Sequence, residues 1–322
     1  MLKTLSLFTF VFLLIACNSK PEAKKEDQPK EKEEVTDQLT STTQYLEGNK
    51  SLLWEISGNG LKKPNYLYGT IHIIPKEDFV SGVTLENKIA ESDYLVMEVP
   101  DITNLAALLA LKDEIKNPEG KQIKEYVSEG KYDTLISLLE KHKNMDQASF
   151  EATYGTMKPF GLYTLIQEID MSKDLESYEK YFMEVAYNNN LDVDGLETLK
   201  DQMSMFSQIS YEDIVDQVID GLSESENKEA ADSFGEMVKY YKMQDLDSLE
   251  NMMFKADEMM MSDKYISMFL FDRNSRWIPK MEEMMTNRKC FFAVGAAHLV
   301  GEKGVINLLR ERGYTLKPIS IN

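Results

Sequence analysis

Two phrases near opposite ends of the chain constrain its fold more than any other feature. Gly69-Thr70-Ile71-His72 and Gly295-Ala296-Ala297-His298 each set a histidine three residues after a glycine, at the close of an apolar, β-forming run. The first run, residues 66–74, follows another at 52–56, with Gly58, Asn59, Gly60 and Pro64 between them, which predicts a hairpin. Beyond Pro75, apolar Val83, Leu85 and Ile89 predict a short helix over 83–92, and residues 94–99 read as a strand. The second phrase sits in a strand over 290–297. A helix over 302–312 follows, with Val305, Ile306, Leu308 and Leu309 on one side and Gly313 as its cap, and then a last strand over 314–319. Strand, helix and strand joined by short links make a βαβ unit, for which a parallel crossover is the default. Between the units, residues 105–115, 132–142, 161–169, 178–188, 211–222, 228–242 and 264–285 read as helices. The expected fold class is α/β (α+β): a mixed β-sheet core built from N- and C-terminal βαβ-like units, with a large helical insertion over about 103–286.

The N-terminus carries a different signal. Lys3 precedes an almost unbroken apolar run from Leu5 to Ala16, the pattern of a secretory signal. A run of about a dozen residues is short of the roughly 20 that span a bilayer as a helix. It ends in Leu14-Ile15-Ala16-Cys17, which resembles the lipobox of bacterial lipoproteins. That resemblance implies cleavage after Ala16 (signal peptide 1–16), acylation of Cys17 and a palmitate-type lipid anchor; an ordinary cleaved signal with an incidental cysteine is the alternative. Two or more acyl chains give lasting membrane attachment. Residues 17–48 are rich in Lys, Glu, Asp, Pro, Ser, Thr and Gln, too polar to offset chain entropy by burial, and read as a disordered tether to a domain over 49–322. The expected location is the cell envelope, as a membrane-anchored lipoprotein facing away from the cytoplasm.

Composition narrows the partners. Lys and Arg number 36 against 55 Asp and Glu, a net charge of −19, which loss of Lys3 with the signal takes to −20. A chain so acidic is not expected to bind nucleic acid, which needs a basic surface, nor to adhere electrostatically to anionic lipid. Of two cysteines, Cys290 has no partner if Cys17 is acylated, and its run Lys289-Cys290-Phe291-Phe292 suits a small buried residue. The 19 methionines, as in Met252-Met253 and Met259-Met260-Met261, read as core filling, since no cysteine or histidine accompanies them.

The chemistry rests on the histidines. The chain has three, and two fall at matching places near the carboxyl ends of strands, where open α/β sheets bind ligands. Glu98 closes the strand over 94–99. Imidazole and carboxylate suit Zn²⁺, Mn²⁺ or Co²⁺, and an open position on such a metal holds a water of lowered pKa. Glycine beside each histidine removes a side chain where substrate backbone can approach. Taken singly, either histidine is as well explained as a satisfied structural residue. The third, His142 in Glu140-Lys141-His142-Lys143, reads as a solvated helix end.

The ordered set Leu67-Tyr68-Gly69-Thr70-Ile71-His72, Met97-Glu98, Gly195-Leu196-Glu197-Thr198, Arg273-Asn274 and Gly295-Ala296-Ala297-His298-Leu299-Val300-Gly301-Glu302-Lys303-Gly304-Val305 resembles the TraB/PrgY/GumN (TraB/GumN, Tiki-like) family from about residue 50 onward. The resemblance implies a metal-dependent, metalloprotease-like hydrolase with a peptide or protein substrate. Carried over by position, it implies His72 and His298 as metal ligands and catalytic residues, and Glu98 as a ligand or general base. Glu197 becomes a further ligand candidate and Arg273 a clamp for a carboxylate or carbonyl oxygen. Two readings stay open beside these: Glu197, after Asp192, Asp194 and Gly195 in a polar turn, as an acid at a helix N-terminus, and Arg273 as the structural partner of a buried acid such as Glu98 or Glu197. The function expected is a membrane-tethered, peptidase-like metal-dependent hydrolase. The alternative is a non-catalytic lipoprotein that sequesters a peptide or metal in the same pocket.

Overall fold

The computed structural model describes residues 50–100, 116–159, 161–162, 175–224, 228–254 and 263–321. The expected signal, Cys17, the tether, the helix over 105–115 and most of that over 161–169 lie outside these residues. Eight strands and eleven helices are labelled here in chain order: β1 Leu53–Gly58, β2 Asn65–Thr70, β3 Ile73–Pro75, α1 Val83–Ala90, β4 Tyr94–Met97, α2 Glu129–Lys143, α3 Gln147–Thr153, β5 Leu175–Ser177, α4 Tyr178–Asn188, β6 Asp192–Gly195, α5 Leu199–Phe206, α6 Tyr211–Glu224, α7 Lys228–Lys242, α8 Leu246–Phe254, α9 Asp263–Ile266, α10 Asp272–Asn287, β7 Cys290–Gly295, α11 Val305–Glu311 and β8 Tyr314–Ile319.

Six strands form one sheet in the order β6-β4-β7-β2-β1-β8. The hairpin is there, with β1 antiparallel to β2, and β8 adds antiparallel to the far side of β1. The other contacts, β2 with β7, β7 with β4 and β4 with β6, are parallel. Both βαβ units are therefore parallel crossovers that skip neighbours: β7 slots between β2 and β4, and β2 and β1 lie between β7 and β8. The two ends of the chain thus build one mixed α/β sheet. All six residues of β2 and of β7 are buried, as central strands covered on both faces must be. Phe291 and Phe292 are wholly buried, each worth about 1.5–3 kcal/mol relative to exposure.

Three elements differ from expectation. Residues 66–74 are not one strand: the chain breaks after Thr70, His72 takes a left-handed φ of 60°, and β3 leaves the main sheet to pair with β5. Residues 192–195, expected as a polar turn, are strand β6 at the sheet edge, where outward acids stay in water while Gly195 is buried. The intervening segment is therefore not wholly helical. The helix expected over 264–285 runs as α9, a π-turn at Ser267–Phe271 and then α10.

Among the described residues two apolar cores result. One lies on the sheet beneath α1, α4, α7, α8, α10 and α11. The other gathers α2, α3, α5, α6 and the π-turn around Leu135, Phe150, Phe206 and Val215. Met252 packs on the first core as expected, while Met259 to Met261 lie outside the described residues. Among the described residues, no helix is long and apolar enough to cross a membrane.

Candidate metal centre

Strands β2, β7, β4 and β6 run parallel, so their carboxyl ends share one rim of the sheet. Each delivers one residue just past its end: His72 after β2, His298 after β7, Glu98 after β4 and Glu197 after β6. The helix α10 crosses this rim. Its buried stripe begins with Arg273 and Asn274 and continues through Trp277 and Met281, so the π-turn before it presents a cation and an amide to the rim.

The sequence-derived candidates meet there. Glu98, Glu197 and Arg273 are at most 9% exposed, and His298 is fully buried. Arg273 Nε donates to Glu197 Oε1 at 3.0 Å, while Nη2 donates to both Glu98 Oε2 and Glu197 Oε1. Its Nη1 donates to the Phe269 carbonyl at 3.1 Å and to His298 Nε2 at 3.0 Å. The Trp277 ring has the Arg273 guanidinium carbon 4.7 Å from its centre and the His298 ring, tilted by 38°, 4.4 Å away between centres. Glu98 Oε1 accepts from the Gly295 amide at 2.8 Å. Arg273 is thus the partner of both buried acids, and Glu197 precedes the cap of α5 rather than sitting in its first turn.

Hydrogen bonding sets the ring tautomers. Asn274 Nδ2 donates to the carbonyls of His298 and Lys303, which leaves its Oδ1 to accept from His298 Nδ1 at 2.7 Å. The proton on Nδ1 leaves Nε2 as the bare lone pair, which is why an arginine can donate to it. His72 is oriented the same way by Glu179, whose Oε1 lies 2.5 Å from Nδ1 and whose Oε2 accepts from Ser177 Oγ at 2.9 Å. The left-handed backbone of His72 costs on the order of 1–3 kcal/mol. It is held by the Tyr178 amide, which donates to the His72 carbonyl at 2.8 Å.

The two motif glycines serve different ends. A Cβ on Gly69 would lie 3.0 Å from Ala296 Cα and from Leu299 Cδ2, so this glycine lets the two motifs pack against each other. A Cβ on Gly295 would stand 3.2 Å from His72 Nε2, 3.4 Å from Glu98 Oε1 and 3.6 Å from His298 Cδ2. Its missing side chain leaves a space faced by the carboxylate and both rings.

The charges are strongly coupled. Burial raises the Glu98 pKa, but the charges of Arg273, His298 and His72 and the Gly295 amide outweigh it and hold the carboxyl well below the usual range. Burial, with Arg273 and His72 adding to it against Glu98, keeps His298 neutral far below its ordinary value. Burial lowers His72 as well, yet the charge and hydrogen bond of Glu179 and the charge of Glu98 raise it overall. Glu98 and Glu197 face one guanidinium and Glu179 faces His72, so the cluster has an excess of two negative charges when both rings are neutral.

That balance bears on whether a divalent cation fits. His72 Nε2 and His298 Nε2 lie 4.0 Å and 3.7 Å from Glu98 Oε1. Ligands about 2.0–2.2 Å from a tetrahedral metal stand about 3.3–3.6 Å apart, so each pair is a few tenths of an ångström too wide. Among the described residues no three His, Cys, Asp or Glu side chains are close enough to hold a metal as they stand. The donor types, the inward Nε2 atoms, the charge and the space at Gly295 fit a divalent cation, provided Arg273 releases His298.

Sequence reasoning missed Glu179, Trp277, Thr70 and Gln202, the last two in a cleft shared with His72, Glu98 and Glu179. Glu179 lies 107 residues from the ring it orients and Trp277 one helical turn beyond Arg273; no local pattern marks the former. His142 sits half-buried in the last turn of α2, less solvated than expected, because its helix packs on the second core. Cys290 is fully buried and burial pushes its thiol up to about 12, so it is the inert residue expected and no nucleophile.

A model of the TraB/PrgY/gumN family matches residues 52–318. No curated protein and no solved structure matches the chain.

Proposed function

Because the chain belongs to the TraB/PrgY/gumN family, we propose that it is a metal-dependent hydrolase of peptide bonds, tethered to a membrane through Cys17. The observation that carries the reading is the pair of imidazoles whose Nδ1 atoms are tied outward to Glu179 and Asn274, which turns each Nε2 inward. A metal-ligating histidine is held in just this way by a partner on its other nitrogen. His72, His298 and Glu98 would hold the cation, Mn²⁺, Co²⁺ or Zn²⁺, with Glu197 as a further carboxylate within the same ion-pair network. Bound there, a divalent cation supplies Lewis acidity and lowers the pKa of a water.

The remaining work falls to the chain's own groups. Glu98, kept ionised by its neighbours, is suited to hold the cation; to serve as base it needs Arg273 drawn away, because a carboxyl held this low takes up a proton poorly. Arg273, once released from His298, donates toward a substrate carbonyl or carboxylate oxygen from a site walled off from water by Trp277. One contact supports the non-catalytic alternative in its peptide-sequestering form: the Arg273 hydrogen bond already occupies the His298 lone pair that a metal would need.

The two are separated by assaying the purified protein against a mixed peptide pool with added Mn²⁺, Co²⁺ or Zn²⁺. The hydrolase reading expects cleavage that Glu98→Gln abolishes in folded protein. Metal uptake with no cleavage under any of the three ions would leave the sequestering alternative in its place.

A further inference from the structure

Thr70, the last residue of β2, is the register partner of Gly295 and so borders the space that the two rings face. It is 4% exposed, and its Oγ1 has no hydrogen-bond partner among the described residues. Buried hydroxyls are nearly always matched, because an unmatched one forfeits its hydration for nothing. This one lies in the wall of the cleft, of about 30 Å³, that also takes in His72, Glu98 and Glu179. Gln202, on α5 and 7% exposed, lines the same cleft. Apolar Met97, Val99, Phe182 and Ala293 complete the surround.

We propose that the Thr70 hydroxyl and the Gln202 carboxamide form the subsite that holds a peptide group of the substrate beside His72 and Glu98. The proposal deepens the hydrolase reading by assigning its substrate-binding groups, and it rests on that reading only for turnover. A carboxamide carries one acceptor and a donor pair, and a hydroxyl donates and accepts, so together they complement a peptide N–H and C=O. Neither bears charge, and the excess of carboxylate beside them disfavours an anionic ligand. The groups matched here are main-chain groups, which every residue carries, so recognition at this subsite tolerates different side chains. Its apolar walls strengthen each hydrogen bond made inside it.

The test uses the full chain, Thr70→Val, which keeps the shape and removes the hydroxyl, and Gln202→Leu. The probe is a random pool of N-acetylated, C-amidated tetrapeptides at millimolar concentration, read first by thermal unfolding and in parallel by metal content and cleavage. The pool should raise the melting temperature of the wild type, as any ligand of the native state does, and should fail to raise that of either variant. Without peptide, Thr70→Val should melt at the same temperature or a few degrees higher, because an unmatched polar atom is gone, whereas a structural hydroxyl would give a lower one. Metal content should match the wild type in both variants, and cleavage should fall about tenfold or more. The subsite is overturned by no peptide-induced shift in the wild type, by a shift that survives in either variant, or by a lower melting temperature of peptide-free Thr70→Val. A shift present in the wild type and lost in both variants, with no metal bound and no cleavage, would uphold the subsite and overturn the hydrolase reading instead.

Discussion

Arg273→Met puts the ion-pair network under the most direct strain. The guanidinium is 1% exposed and donates to two carboxylates, a backbone carbonyl and a histidine. Methionine fills much of the volume but returns none of these bonds, leaving Glu98 and Glu197 buried without their cation. Removing one partner of a buried pair costs about 3–5 kcal/mol. With a urea dependence of about 3 kcal/mol per molar, the unfolding midpoint should fall by roughly 1–2 M at pH 7. The loss should depend on pH. The Glu98 pKa in the folded protein is depressed, with Arg273 the strongest of the influences that overcome burial. Its contribution is therefore complete above the unfolded value of about 4.3 and is lost as pH falls toward the folded one. The gap between wild type and variant should be widest near neutrality and narrow below about pH 4. Freeing His298 Nε2 should also let added Zn²⁺ recover part of the lost stability. A loss under about 1 kcal/mol at pH 7, or a gap that stays constant into acid, would refute the network as the holder of this rim.

Three further outcomes are expected. Protons compete with metal for His72, whose pKa is raised despite burial by Glu179, so metal uptake should climb as pH rises above about 6.5; Glu179→Gln should move the midpoint of that climb to lower pH, as followed by equilibrium dialysis. Gly295→Ala should fold but lose metal, because its Cβ stands 3.2 Å from His72 Nε2, whereas Gly69→Ala should cost about 1–3 kcal/mol in denaturant titration by pressing on Ala296 and Leu299. Cys17→Ser should leave the membrane fraction in cell fractionation, since the net charge of −19 offers no other hold on anionic lipid; equal membrane recovery would remove the anchor.

The parts of the fold legible in the sequence were those with local period or local punctuation. The hairpin, the two crossovers and the amphipathic helices α4 and α7 announce themselves through β-formers, glycines and apolar spacing. Strand β6 did not, because Asp192-Val193-Asp194-Gly195 has a turn's composition and becomes a strand only by pairing with β4. The break at His72 was hidden too: β-formers continue through Ile74, and only the left-handed backbone ends β2. In the site, residues next to a motif could be named, and His72, Glu98, Glu197, Arg273 and His298 do converge. Glu179, Thr70 and Gln202 act through neighbours distant in sequence or through the lack of a partner, and neither property is written in spacing.

Metal stoichiometry of the purified chain bears most directly on the central claim. After dialysis against Mn²⁺, Co²⁺ or Zn²⁺ and removal of free ion, elemental analysis should find about one bound ion per chain with one of these metals. His72→Ala and His298→Ala should each lose it while remaining folded, the double variant should lose little more, and His142→Ala should keep it. Full metal content in folded His72→Ala or His298→Ala protein, or none in the wild type with any of the three ions, would contradict the account.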